Sequence, residues 1–252
     1  MKFWKLALCA AAASVAMGGA ALADPAKPTV AFNAGVASNY LFRGLSQTSG
    51  GPEGFGGVDV TYGPVYVGTW LSNIDFNGPA GSGDTSAIEQ DIYGGVTHGF
   101  GPVTLSLGGI YYAYWDQPSR PSGAGGDNYF ELRAAASTTI DKVTAGIQYF
   151  HSWEFPLKTG AADYIEGDLA YAVTPKASLS GALGYQNLDK AKFGLNDYWT
   201  WNVGVTYTLT DHLSVDGRYV GVSSSAKNFF GSNQSYPFNA GDRIVGTLKA
   251  TF

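Results

Sequence analysis

The residues of this sequence best suited to chemistry are charged side chains that recur two positions apart. They are Glu89 and Asp91, Glu131 and Arg133, Glu166 and Asp168, Asp216 and Arg218, joined by Arg243 and Lys249. Residues two apart on a β-strand share a face, and these project opposite the apolar residues of the same segments. At a bilayer midplane a lipid-facing Arg or Lys costs roughly 2 to 4 kcal/mol, so an interior is the economical place for them. Six are acidic and four basic. Such a lining makes either a narrow pore that favours cations weakly, because low-dielectric walls strengthen each charge, or a lumen filled by pairs made across strands.

Nucleophilic chemistry has little material. The three histidines are His98, His151 and His212; the first and last fall in expected short turns. His151 sits near a strand end, where a lipid-hydrolysing barrel would place a Ser and a His, yet the adjacent Ser152 points to the opposite face. An interfacial histidine is the simpler reading. Gly54-Phe55-Gly56-Gly57 lacks the Lys-Ser/Thr of a phosphate loop. Asp84, Asp116 and Asp127 have no spacing that matches a calcium cage. No catalytic residue, metal or cofactor is therefore expected.

The elements that must carry these charges are strands. Val203, Val205, Tyr207 and Leu209 alternate with Asn202, Gly204, Thr206 and Thr208, and Ile244, Leu248, Ala250 and Phe252 alternate with Arg243, Thr247, Lys249 and Thr251. Counting such runs gives about twelve strands, near residues 30–39, 55–62, 65–74, 87–97, 103–115, 128–140, 143–153, 163–173, 177–186, 198–209, 213–222 and 242–252. In the Gly-rich pair at 55–74, either Val67 and Leu71 or Tyr66, Trp70 and Ile74 face lipid.

Alternation alone also suits a soluble sandwich, and the links decide between the two. Short ones at Gly63-Pro64, His98 to Pro102, Asp141-Lys142, Thr174 to Lys176 and Thr210 to His212 alternate with long ones. The long ones run from Tyr40 to Gly54, Asp75 to Ser86, Asp116 to Asp127, Glu154 to Ala162, Asn187 to Asp197 and Ser223 to Gly241. That rhythm belongs to outer-membrane barrels, with short periplasmic turns and long external loops. The fold expected is all-β: a transmembrane antiparallel up-and-down barrel. Trp115, Trp153, Tyr185 and Trp199 mark one interfacial belt, and Tyr62, Tyr171, Tyr207 and Phe252 the other. Closure has a physical cause, since hydrocarbon cannot satisfy an open sheet edge.

The N-terminus fits export. Lys2 and Lys5 precede an apolar run from Leu6 to Met17, and Ala21-Leu22-Ala23 has the small-x-small pattern of a signal cleavage site. Residues 1–23 are thus a signal peptide and 24–252 the barrel. Removing the signal takes away the one cysteine, Cys9, and two of the 15 basic residues, leaving 13 against 20 acidic and a formal charge of −7. That sign argues against nucleic acid as a partner. Only 14% of residues are charged, beside 35 Gly, 16 Tyr and 14 Phe, against roughly 25% charged in ordinary soluble domains.

The stretch from Ser38 through Asn39-Tyr40-Leu41-Phe42-Arg43-Gly44-Leu45-Ser46 to Gln47, followed by Gly68-Thr69-Trp70-Leu71-Ser72-Asn73-Ile74-Asp75-Phe76, resembles the TorF-like porins, also called the Gcw_chp family of proteobacterial outer-membrane proteins. The resemblance spans essentially the mature chain and implies the barrel fold and a passive channel for ions or small hydrophilic solutes. Phe252, ending an alternating strand, is similar to the C-terminal signal read by the barrel-assembly machinery. Lipid and that machinery are the expected partners. Arg43 and Asp75, each just beyond a strand end, either pair as a latch over the mouth or are ordinary surface charges. The Ser223 to Gly241 loop, with Phe229, Phe230 and Phe238, is a candidate constriction. A non-conducting structural or surface-interaction barrel is the alternative function.

Overall fold

A computed structural model describes residues 27–75, 88–115, 128–193, 196–231 and 239–252. The expected signal peptide, Phe76, Phe238 and the loop carboxylates Asp84, Asp116 and Asp127 lie outside the described residues. Twelve long strands close into one antiparallel barrel. They are β1 (Thr29–Ala37), β4 (Glu53–Tyr62), β5 (Val65–Asn73), β6 (Ile88–Phe100), β7 (Val103–Trp115), β8 (Tyr129–Ile140), β9 (Val143–Ser152), β10 (Ala162–Ala172), β11 (Ala177–Leu188), β12 (Tyr198–Thr208), β13 (Leu213–Val222) and β15 (Arg243–Thr251). Three short strands, β2 (Leu41–Phe42), β3 (Leu45–Ser46) and β14 (Asn239–Ala240), form a separate small sheet.

Closure runs through the chain ends. β1 pairs with β4 along its whole length and with β15 from Asn33↔Thr251 to Ala37↔Thr247. Phe252 exchanges backbone hydrogen bonds with Phe32 at 2.9 and 3.0 Å, and its ring stacks on His212. The barrel strands have 9 to 13 residues. Ten residues rise roughly 33 Å, and a tilt of about 40° leaves roughly 25 Å along the normal, the height of an apolar band.

The barrel is inverted relative to a soluble fold. Val203, Val205 and Leu183 are 49–52% exposed on the outer face, while Glu89, Glu131 and Arg218 are buried inside. A sandwich would do the reverse. Trp115, Trp153 and Trp199 stand outward at the long-loop end, and Tyr62, Tyr171, Tyr207 and Phe252 outward at the short-turn end.

Two details depart from or complete the sequence reading. β6 continues through Phe100, so His98 belongs to a strand and its ring meets Phe100; the turn shrinks to Gly101-Pro102, with Gly101 at φ +61°. In the β4–β5 pair, Val67 and Leu71 face out, and Tyr66, Trp70 and Ile74 face the interior. Tyr66 needs that side because its hydroxyl lies across Gly95 and Gly108, where a Cβ would be 2.7 and 2.5 Å from it.

Candidate functional site

The loop after β1 turns back into the barrel. Leu41 pairs with Ser46 and Phe42 with Leu45, and the connecting residues Arg43 and Gly44 have φ of +48° and +80°. Two consecutive left-handed residues make the tight two-residue hairpin, and Gly at the second costs nothing sterically. Arg43 has no such freedom, so its surroundings must hold it there. The neck of the hairpin is tied by Gln47 N–H donating to Tyr40 O at 2.8 Å and by Ser46 Oγ donating to Asn39 Oδ1 at 2.7 Å.

From that neck the hairpin crosses the lumen. Tyr40 Oη donates to Glu89 Oε1 on β6 at 2.5 Å, and its ring meets Trp70 on β5 edge-on. Phe42 meets Tyr112 on β7, whose ring stacks on Tyr129 at 4.4 Å. At the tip, Arg43 Nη2 donates to Glu131 Oε2 on β8 at 2.5 Å, and Nη1 to Gln186 Oε1 on β11 at 2.9 Å. The guanidinium carbon lies 5.1 Å from the Phe150 ring on β9 and 4.4 Å from the Tyr164 ring on β10. A Cβ on Gly44 would lie 2.3 Å from Val222 Cγ1 on β13 and 2.7 Å from Thr200 Oγ1 on β12. The hairpin thus reaches inner faces on nine consecutive strands of the twelve, β5 to β13.

Burial is correspondingly deep: Arg43 is 6% exposed and Glu131 0%. A desolvated ion pair with cation–π contacts of about 2 kcal/mol or more each is a strong local latch, though its net value is reduced by the cost of burying both charges. The latch is also incomplete, because Glu131 Oε1 is buried with no hydrogen-bond partner among the described residues.

The loop after β13 covers the hairpin. Its first turn, α1 (Ser224–Ala226), and the following turn at Lys227–Gly231 bury Ala226 and Phe230 against Leu45, Tyr198 and Val222. β14 then pairs Ala240 with Leu45 and Asn239 with Ser46, and Lys227 Nζ reaches Asp242 Oδ1 at 2.7 Å. The described residues of the candidate constriction, 223–231 and 239–241, therefore sit over a plug made by a different loop.

Several of the other interior charges are held by hydrogen bonds within and across strands. Arg133 donates to Gln148 Oε1 at 3.1 Å, Gln148 Nε2 donates to Glu166 Oε1 at 2.8 Å, and Tyr164 Oη donates to Glu166 Oε2 at 2.6 Å. Arg218 holds Asp216 with Nε and Nη2 at 3.2 and 3.1 Å and reaches Asn202 Oδ1 at 2.6 Å. Asp168, Arg243 and Lys249 are only partly buried on the same face, and Asp91 Oδ1 is buried with no partner among the described residues.

Of the two readings of Arg43, a latch pair with Asp75 or an ordinary surface charge, neither describes it. The hairpin carries the Arg43 guanidinium inward to Glu131, and Asp75 joins the same loop through its backbone: its N–H donates to Gln47 O, and Ser49 Oγ donates to its carbonyl, both at 2.8 Å. His151 Nδ1 lies 2.8 Å from Asp163 Oδ1 on the outer face, where Tyr149 Oη also reaches that oxygen. Ser152 is fully buried on the other face and donates to Phe130 O at 3.0 Å, so the neighbouring Ser and His do not meet. Among the described residues there is no group of three or more potential metal ligands.

The alternation missed Glu131 and Gln186 as partners of Arg43, and Phe150 and Tyr164 as its ring contacts. Their signal was present: four aromatics, Tyr112, Phe150, Tyr164 and Tyr198, fall on the polar side of their strands near the long-loop end, where only an inserted segment gives them apolar company.

A family model described as a bacterial protein of unknown function, Gcw_chp, matches residues 22–252. No curated protein matches the sequence. Among solved structures the fold is similar to the KdgM porin, at 8% identity and TM-score 0.56 over 90% of this chain and 98% of that one. It is also similar to an outer-membrane channel of Pseudomonas putida F1, at 11% identity and TM-score 0.56 over 92% and 97%.

Proposed function

This chain belongs to the Gcw_chp family of bacterial proteins, and we propose that it works as a TorF-like outer-membrane channel for passive passage of ions or small hydrophilic solutes, with the Tyr40 to Thr48 hairpin as its stopper. The observation that carries this reading is the chemistry of the interior. Buried ion pairs such as Arg43–Glu131 and Arg218–Asp216 are poor stabilisers compared with well-packed apolar side chains, so a lumen built of them suits passage better than stability. The stopper, too, is held at its tip by polar contacts that solvent can replace. On this reading lipid surrounds the outward apolar band, the barrel-assembly machinery reads Phe252, and the signal peptide is removed near Ala23 as the chain is exported, the mature barrel residing in the outer membrane of a Gram-negative bacterium.

One observation favours a second reading, a non-conducting structural or surface-interaction barrel: Arg43, Ser46 and Gln47 at the plug are all at most 6% exposed. Planar-bilayer recordings separate the two. The channel reading predicts brief openings from the wild type and steady conductance once the Arg43–Glu131 pair is removed; silence from both, with folded protein confirmed by heat-dependent gel migration, favours the structural barrel.

A further inference from the structure

The cage around Arg43 has the composition of a guanidinium receptor, and we propose that it binds free guanidinium cations, with Arg43 as a tethered occupant that they displace. Two of its walls are the rings of Phe150 and Tyr164, 5.1 and 4.4 Å from the guanidinium carbon. A third ring, Phe42 at 4.6 Å, belongs to the hairpin and leaves with it. The polar wall is Glu131 with Gln186.

The fit of Arg43 is partial, and that argues for an outside ligand. Nη2 meets Glu131 Oε2 while Nη1 is committed to Gln186, and Oε1 of Glu131 is left buried with no partner among the described residues. A guanidinium forks onto both oxygens of a carboxylate when free to orient. Arg43 is not free to do so, since its backbone is fixed at φ +48° in the hairpin turn. An untethered cation can take both Glu131 oxygens and keep Gln186, and its binding relieves the left-handed Arg43.

The surrounding charge has the sign that this occupant requires. Glu89 and Asp91 lie on β6, and Asp91 Oδ1 also lacks a partner among the described residues. Arg133 approaches the Phe150 ring at 5.7 Å, but its guanidinium is turned to Gln148. A planar fork suits the site better than a compact ammonium, which cannot span two Glu131 oxygens and Gln186 in one plane. The ligand class is therefore a small guanidinium compound. On the channel reading, which this inference deepens, such a compound opens the barrel by releasing its stopper.

The test uses methylguanidinium chloride as the probe, with methylammonium and urea to separate charge from shape, titrated calorimetrically into the full detergent-folded chain. A tethered competitor acts at roughly millimolar effective concentration or above. Arg43→Ala is therefore expected to bind methylguanidinium at one saturable site at least tenfold more tightly than the wild type, with methylammonium and urea weaker. Adding Glu131→Gln should abolish that binding. Arg43→Met, which keeps the aliphatic stem, is the second variant, and heat-dependent gel migration checks that each is folded. Folded Arg43→Ala and Arg43→Met that bind no better than the wild type overturn the proposal, as does binding that survives Glu131→Gln. Methylguanidinium binding without any conductance in bilayers tells against the channel, and conductance without binding tells against the cage.

Discussion

Gly44→Val is the substitution that the hairpin should tolerate least. Gly44 has φ +80°, and its Cβ would fall 2.3 Å from Val222 Cγ1 and 2.7 Å from Thr200 Oγ1. A left-handed residue with a side chain costs roughly 1 to 2 kcal/mol, and crowding a filled site costs about 1 to 3 more. A total near 3 kcal/mol lowers the ratio of seated to displaced hairpin on the order of 100-fold, each 1.4 kcal/mol being tenfold. Trypsin reads this directly, because it cuts after Arg43, which is 6% exposed when seated. Folded Gly44→Val should be cut at that bond on the order of 100 times faster than the wild type. Gly50→Ala is the control: its φ is +85° but its Cβ meets nothing within 4 Å, so it carries the backbone strain of roughly 1 to 2 kcal/mol without a clash and should change cleavage by about 30-fold or less. Equal protection of Arg43 in Gly44→Val and wild type, with both folded, would refute the seating of the tip between β12 and β13.

Glu131→Gln leaves a buried guanidinium without its counter-charge, a loss of about 3 to 5 kcal/mol, and should raise both tryptic cleavage at Arg43 and open time in bilayers; unchanged values would show that the pair is not the latch. Asp216→Asn strands Arg218 in the same way at the other side of the lumen, and should lower the urea midpoint of folding into liposomes while leaving Arg43 protected. Ile147→Arg places a charge at the middle of β9 on the outer face, where Ile147 is 51% exposed, and should destabilise the barrel by roughly 2 to 4 kcal/mol in lipid; a null effect there contradicts lipid contact. Lys227 beside Asp242 holds that carboxyl below its ordinary value of 3.8, with Tyr219 assisting. A depressed folded-state value means stability present at neutral pH and lost as pH falls below the ordinary value through the depressed one. Exchange protection of the covering loop should fall in that acid range in wild type, and Asp242→Asn should remove the dependence.

The barrel was legible because lipid imposes a rule on every second residue. Val203, Val205 and Tyr207 could be assigned to one face from their neighbours alone, and the strand limits at 65, 103, 143, 177, 198 and 213 are marked by turn residues nearby. Tyr66 and Trp70 defeated the rule because an aromatic inside a lumen looks like an aromatic facing lipid; only the space above Gly95 and Gly108 decides for Tyr66. The hairpin was hidden for a different reason. Arg43-Gly44 between apolar neighbours is a turn signal, but its partners Glu131 and Gln186 lie 88 and 143 residues away, and no local pattern records such a contact. The interior charges were placed on their face by alternation, and Asp216–Arg218 is a pair two residues apart on β13, whereas the Arg133–Gln148–Glu166 chain and the Arg218–Asn202 contact depend on register across strands.

The most direct test of a lipid-embedded barrel stoppered by its own first loop is single-channel recording from a variant in which residues 40–50 are replaced by a short Gly-Ser link. The account predicts stable conductance steps from that variant, at least several-fold larger in mean current than the intermittent openings of the wild type. A correctly folded deletion protein whose traces match the wild type, or that passes no current, would contradict it.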